Sequence, residues 1–143
     1  MKQWIFWILL SLFILLQGVI TTIPLVLLLL LVLYIRTKKE FVIIGAFLSG
    51  TVLDIMRIQN HLGATSFFLI TVLALVMLYE KKYEIDTIQF TIVSSCLAVI
   101  SLLLFMQETF NIFFILTSCI IALIIFVFAK LLIPKEQDKL RVY

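Results

Sequence analysis

Charge is what this chain has least of. Asp, Glu, Lys and Arg make up only 13% of its 143 residues, where an ordinary soluble domain carries about 25%. Histidine occurs once, as His61, cysteine twice, as Cys96 and Cys119, and there are 2 prolines and 4 glycines. Each shortage excludes something. No CxxC, CxxxH or carboxylate cluster is present, so no metal site is predicted. The few glycines form no phosphate-cradling loop, and no Ser, His and Asp constellation is visible, so the chain offers no catalytic machinery and no cofactor site. His61, alone in RIQNHLG, reads as a solvated loop residue. The two cysteines lie inside apolar segments at comparable depth and read as small apolar packers.

Long hydrophobic runs are abundant. Hydrophobic residues account for 64% of the chain and the mean hydropathy is +1.28, which points to a polytopic membrane protein. The charge-free run from Gln3 to Ile35 would be about 50 Å long as one helix, against a hydrocarbon core of about 30 Å. Gln17, Gly18, Thr21, Thr22 and Pro24 interrupt it, and Pro24 removes a backbone donor. Two spans are therefore expected, Trp4 to Ile20 and Ile23 to Ile35, with one tilted or kinked helix as the alternative. Further apolar segments run over Phe41 to Met56, Ala64 to Tyr79, Ile88 to Met106 and Phe110 to Ile133. The expected fold is all-α, a bundle of about six transmembrane helices (five if the first two merge). Residues 1–133 form a single transmembrane domain and 134–143 a short cytoplasmic tail. Lys2 before an apolar stretch resembles a secretory signal, but no small-x-small cleavage site follows it.

The cations give the orientation. Of the 11 Lys and Arg, all except Arg57 fall in segments that are cytoplasmic if both termini are inside, in accord with the positive-inside rule. Trp4, Trp7, Tyr34, Tyr79, Tyr83 and Tyr143 fall at or beyond the same ends, where amphipathic rings favour the interface. The net charge of +3 thus reports orientation and contact with anionic lipid, not nucleic acid.

Asp54 stands out within the third span. A carboxylate inside a span is costly and usually faces the bundle interior or finds a partner. Ala46, Gly50, Asp54 and Arg57 recur at i, i+4, i+8 and i+11 and share one stripe of a helix. Small residues four apart let another backbone come close, so this stripe is expected to pack against another helix or a partner protein. Asp54 also admits simpler readings, neutralising Arg57 or capping the next helix. Weaker stripes of small residues occur at Ser94, Ala98 and Ser101, and at Ser118 and Ala122. Gln107 and Glu108 are placed near the level of Arg57.

The run GAFLSGTVLDIMRIQNHLGATSFFLITVLAL resembles the signature of the MreD family, small polytopic subunits of the bacterial rod-shape and wall-elongation machinery. The residues that carry the likeness are Gly50, Leu53, Asp54, Leu62 and Gly63, supported upstream by Leu16, Gln17, Pro24 and Tyr34. It covers roughly residues 10–85; the rest matches in hydropathy only. The short connection before Pro24 and Ala46 in place of a second glycine depart from the family pattern. The resemblance implies a non-enzymatic scaffold of the bacterial cytoplasmic membrane that binds a bitopic MreC-like protein and other elongation-complex proteins and links peptidoglycan synthesis to MreB. It leaves homo-oligomerisation open. The family's fold is also similar to the substrate-binding membrane subunits of energy-coupling-factor vitamin transporters, which is the alternative function.

Overall fold

The computed structural model describes residues 3–19, 23–37, 40–57, 62–84, 87–106, 109 and 111–132. Among them are six α-helices and no strand: α1 (Gln3–Val19), α2 (Leu25–Thr37), α3 (Phe41–Met56), α4 (Ala64–Glu80), α5 (Ile88–Phe105) and α6 (Ile112–Leu132). The tail expected at 134–143 lies outside the described residues. Glu40, Lys81 and Met106 each follow or precede a helix within a residue, so the short polar links do fall where the apolar periodicity breaks. Thr87 opens α5 by accepting from the Phe90 N–H at 3.2 Å, and Asn111 opens α6 by accepting from the Phe113 N–H at 3.0 Å. Both satisfy a first-turn donor that has no partner within its own helix.

α2 forms the centre. Its sequence is apolar on nearly every side, which suits a helix enclosed by others; Val26 through Ile35 are all buried. α2 packs against each of the other helices. Around it, α1 packs on α3, α3 on α4, and α5 on α6. α4 and α5 meet through rings, Phe68 with Phe105 at 5.3 Å and Tyr79 with Phe90 at 5.1 Å between centroids. The wall around α2 thus has two parts, α1–α3–α4 and α5–α6, with an aromatic seam between α4 and α5.

Successive helices run antiparallel. Phe6 lies against Phe41, with centroids 4.7 Å apart, while Tyr34 reaches Glu80, so the starts of α1, α3 and α5 and the ends of α2, α4 and α6 share one end of the bundle. Gln17, Pro24, Arg57, Thr65, Met106 and Phe114 share the other. Gly45 permits the α1–α3 contact, since a Cβ there would lie 2.7 Å from Phe6 Cζ.

Two helices, Ile88–Phe105 and Ile112–Leu132, are long and apolar enough to cross a membrane. Only 28% and 22% of their apolar windows are buried, and their outward faces carry Val93, Leu97, Leu104, Leu116, Ile120, Ile124 and Val127.

The first apolar run forms two helices, as expected, and not the single helix of the alternative: α1 and α2 are separate and pack on one another, because Pro24 cannot donate within a continuing helix. One expectation needs correction. The cysteines are not independent packers, for Cys96 and Cys119 form a disulfide between α5 and α6, with Cα atoms 6.1 Å apart. Tyr34 lies near the end of α2, its ring buried among the helices and its hydroxyl donating to Glu80 Oε2 at 2.9 Å. On α5 the buried small residues are Ser95 and Ala98, so the stripe turns slightly from the expected Ser94, Ala98 and Ser101. On α6 Ser118 and Ala122 are both buried.

Candidate functional site

The stripe on α3 is where the polar chemistry concentrates. Ala46, Gly50 and Asp54 are buried, and the helix they face is α4. A Cβ on Gly50 would stand 2.5 Å from the Ser66 backbone nitrogen, so only glycine allows the two backbones this approach. The Ser66 hydroxyl donates to the Phe47 carbonyl at 2.9 Å across the same contact.

One turn further along, α3 ends at Met56 and α4 begins at Ala64. A helix start leaves backbone N–H groups without partners, and here Asp54 supplies the acceptor from the preceding helix. Asp54 Oδ2 accepts from the Gly63 N–H at 2.8 Å and the Thr65 N–H at 3.2 Å, and Oδ1 accepts from the Thr65 hydroxyl. The carboxylate is wholly buried. Three donors replace its hydration, and the positive end of the α4 dipole favours its charge. Gly63 makes the approach possible: its φ of 93° is left-handed backbone that other residues adopt only with strain, and nothing lies within 4 Å of the Cβ it lacks. Conformation, not space, selects glycine here.

The first hairpin uses the same device. Gln17 is buried near the end of α1, and its Oε1 accepts from the Val26 N–H in the first turn of α2 at 2.7 Å, nine positions further on. Asp54 and Gly63 have the same separation. In each hairpin a polar side chain on the first helix therefore holds the start of the second.

Arg57 completes the expected stripe but not an ion pair. Among the described residues no acid pairs with it, since both Asp54 oxygens turn toward α4. Its half-buried side chain instead lines a recess of about 30 Å³ with Gln17, Pro24, Thr65, Phe68, Met106 and other apolar groups. His61, Gln107 and Glu108 lie outside the described residues. Among those described, no group of three or more His, Cys, Asp or Glu comes together.

The structure thus joins Gly50, Asp54 and Gly63 in one helix-to-helix clasp, with Ala46 buried on the same face and Arg57 set apart from Asp54. Sequence reasoning missed Thr65 and Ser66, the α4 partners of Asp54 and Gly50. Their signal was weak: two small hydroxyl residues directly after Gly63. It also took Gln17 as an interruption of an apolar run and as part of the resemblance but not as a cap, when a buried amide near a helix end asks for a backbone partner. No family, curated protein or solved structure was found to match the chain.

Proposed function

We propose that the chain is a multi-pass protein of the bacterial cytoplasmic membrane, with both termini inside, acting as a non-catalytic scaffold of the MreD type. The observation that carries this reading is that Gly50, Asp54 and Gly63, which bear the family resemblance, have their chemistry taken up in holding α3 to α4. A carboxylate with every hydrogen bond turned inward is a building element and not a reagent. The largely exposed apolar faces of α5 and α6 fit a lipid environment, because surfaces of that extent are unfavourable in water. Arg36, Lys81, Lys82 and Lys130 lie at the end assigned to the cytoplasm and Arg57 at the other, as the positive-inside rule asks.

Under this reading the chain binds a bitopic coiled-coil protein of the MreC kind through its outer helix faces and so links wall synthesis to MreB filaments. The vitamin-transporter alternative ranks second on size. Small-molecule sites measure about 300–1,000 Å³, and the recess beside Arg57 is about 30 Å³. Depletion of the chain in a rod-shaped host that depends on it is expected to give rounded cells, and the tagged chain to co-purify with the coiled-coil partner. Normal shape on depletion, with saturable vitamin binding by the purified protein, would favour the transporter.

A further inference from the structure

The recess at the Arg57 end lies where all the helices meet. Gln17 comes from α1, Val26 and Leu27 from α2, Leu53 from α3, Thr65 and Phe68 from α4, Leu102 and Met106 from α5, and Phe114 from α6. Its walls are mostly apolar, yet a guanidinium lines it. Arg57 is half-buried and has no acidic partner among the described residues, so its charge is available to an anion that enters the recess. The surrounding field favours an anion as well. The first turn of α2 opens at this recess with no acidic residue in it, and only the neutral Gln17 oxygen meets one of its N–H groups, so the positive end of its dipole faces the recess without a countercharge among the described residues. The Gln17 carbonyl oxygen is committed to Val26, which leaves its amide N–H groups as further donors.

Size and surroundings narrow the ligand. About 10–15 Å³ by this measure holds one water, so about 30 Å³ accommodates the oxygens of one small anion and no sugar or ring system. Beside the recess runs the α4–α5 seam, which Phe68 and Phe105 bridge by ring contact where α1–α3, α3–α4 and α5–α6 pack closely. Phe68 belongs to both the recess and the seam. Phe105 is exposed, so an apolar chain attached to the anion would meet an apolar surface directly beside the recess.

We propose that this recess, in the membrane orientation argued above, binds the phosphate of an anionic lipid of the outer leaflet. Arg57 holds the phosphate, Gln17 donates to it, and an acyl chain lies along the seam between α4 and α5. Bidentate guanidinium–phosphate pairing is strong and directional, so binding depends on the charge and on its place.

The test uses the purified full chain in detergent, stripped of lipid and titrated with dioleoyl phosphatidylglycerol under native mass spectrometry. Dioleoyl phosphatidylcholine and inorganic phosphate serve as the other two arms. The wild type is expected to retain phosphatidylglycerol at least tenfold more tightly than phosphatidylcholine. Arg57→Gln should lose most of that preference, Arg57→Lys should keep most of it, and Val52→Leu, on an exposed face outside the recess, should leave it unchanged. Displacement of the lipid by millimolar inorganic phosphate would reassign the site to a free anion and overturn the lipid proposal. Unchanged lipid preference in a folded Arg57→Gln protein would overturn the site itself. If Arg57→Gln does not accumulate, Leu102→Trp, which fills the recess and keeps the charge, carries the test: full lipid retention in it also refutes the site. Co-purification with the coiled-coil partner is measured on the same variants. Loss of lipid binding with the partner retained separates this site from the scaffold function, and a failure of the site leaves that function standing.

Discussion

At the scale of single residues, Asp54 is tolerable because its surroundings already hold donors. The Gly63 and Thr65 N–H groups and the Thr65 hydroxyl meet the carboxylate in a place water does not reach. Asp54→Leu removes the acceptor and strands buried N–H groups, at a cost of about 1–3 kcal/mol, more than enough to lower membrane abundance. Asp54→Asn keeps one oxygen that can accept from the same N–H groups and is expected to retain most stability and activity. Complete loss of function in Asp54→Asn at normal abundance would show that the charge is needed for chemistry. Gly50 gives a cleaner contrast. Gly50→Leu forces α3 away from the Ser66 backbone, with an overpacking penalty of about 1–3 kcal/mol or more, whereas Val52→Leu, on an exposed face, should be nearly neutral. Equal thermal stability of these two variants would contradict the clasp.

At the scale of the element, the helices were legible because apolar runs interrupted by short charged links leave few alternatives. Phe41–Met56 emerges with the bounds read from sequence. The packed face of α3 was legible too, since Ala46, Gly50 and Asp54 recur at helical spacing. What they face was not. Which helix meets Gly50 depends on the turn at Leu62 and Gly63, and Asp54 admitted both an Arg57 pair and a cap on the next helix until that turn was fixed. The Cys96–Cys119 bond shows a similar limit: equal depth could be counted along each helix, but rotation about each axis decides whether two thiols meet. The central place of α2 was not legible either, for α6 is as apolar all round and yet lies at the edge with an exposed face. The 13 residues of α2 span about 20 Å, short of a bilayer core of about 30 Å. Under the proposed membrane reading, enclosure by its neighbours would remove the mismatch, because α2 would not touch the lipid.

At the scale of the whole molecule, antiparallel succession puts Gln3 and Leu132 at the same end. If that end is cytoplasmic, phosphatase and fluorescent reporters fused after Lys39, Asn60, Lys82 and Tyr143 should report inside, outside, inside and inside. An active phosphatase at Tyr143 would overturn the orientation. The two-part wall around α2 also predicts where the bundle is softest. Hydrogen exchange and crosslinking should find the α4–α5 seam opening more readily than the α3–α4 contact, since rings meet in one and backbones in the other. Equal protection on both sides would count against this division.

The clasp at Asp54 also bears on the order in which the chain is built. Helices emerge from the ribosome one after another, and α3 leaves it before the Gly63 and Thr65 donors exist in folded form. If the chain is the multi-pass membrane protein proposed above, an α3 released alone into lipid would carry an unsatisfied acid, which favours entry of α3 and α4 as a pair. A chain cut after Asn60, though still anchored by α1 and α2 under that reading, is therefore expected to be degraded faster than one cut after Tyr83. Asp54→Leu, damaging in the full protein, should rescue the shorter fragment.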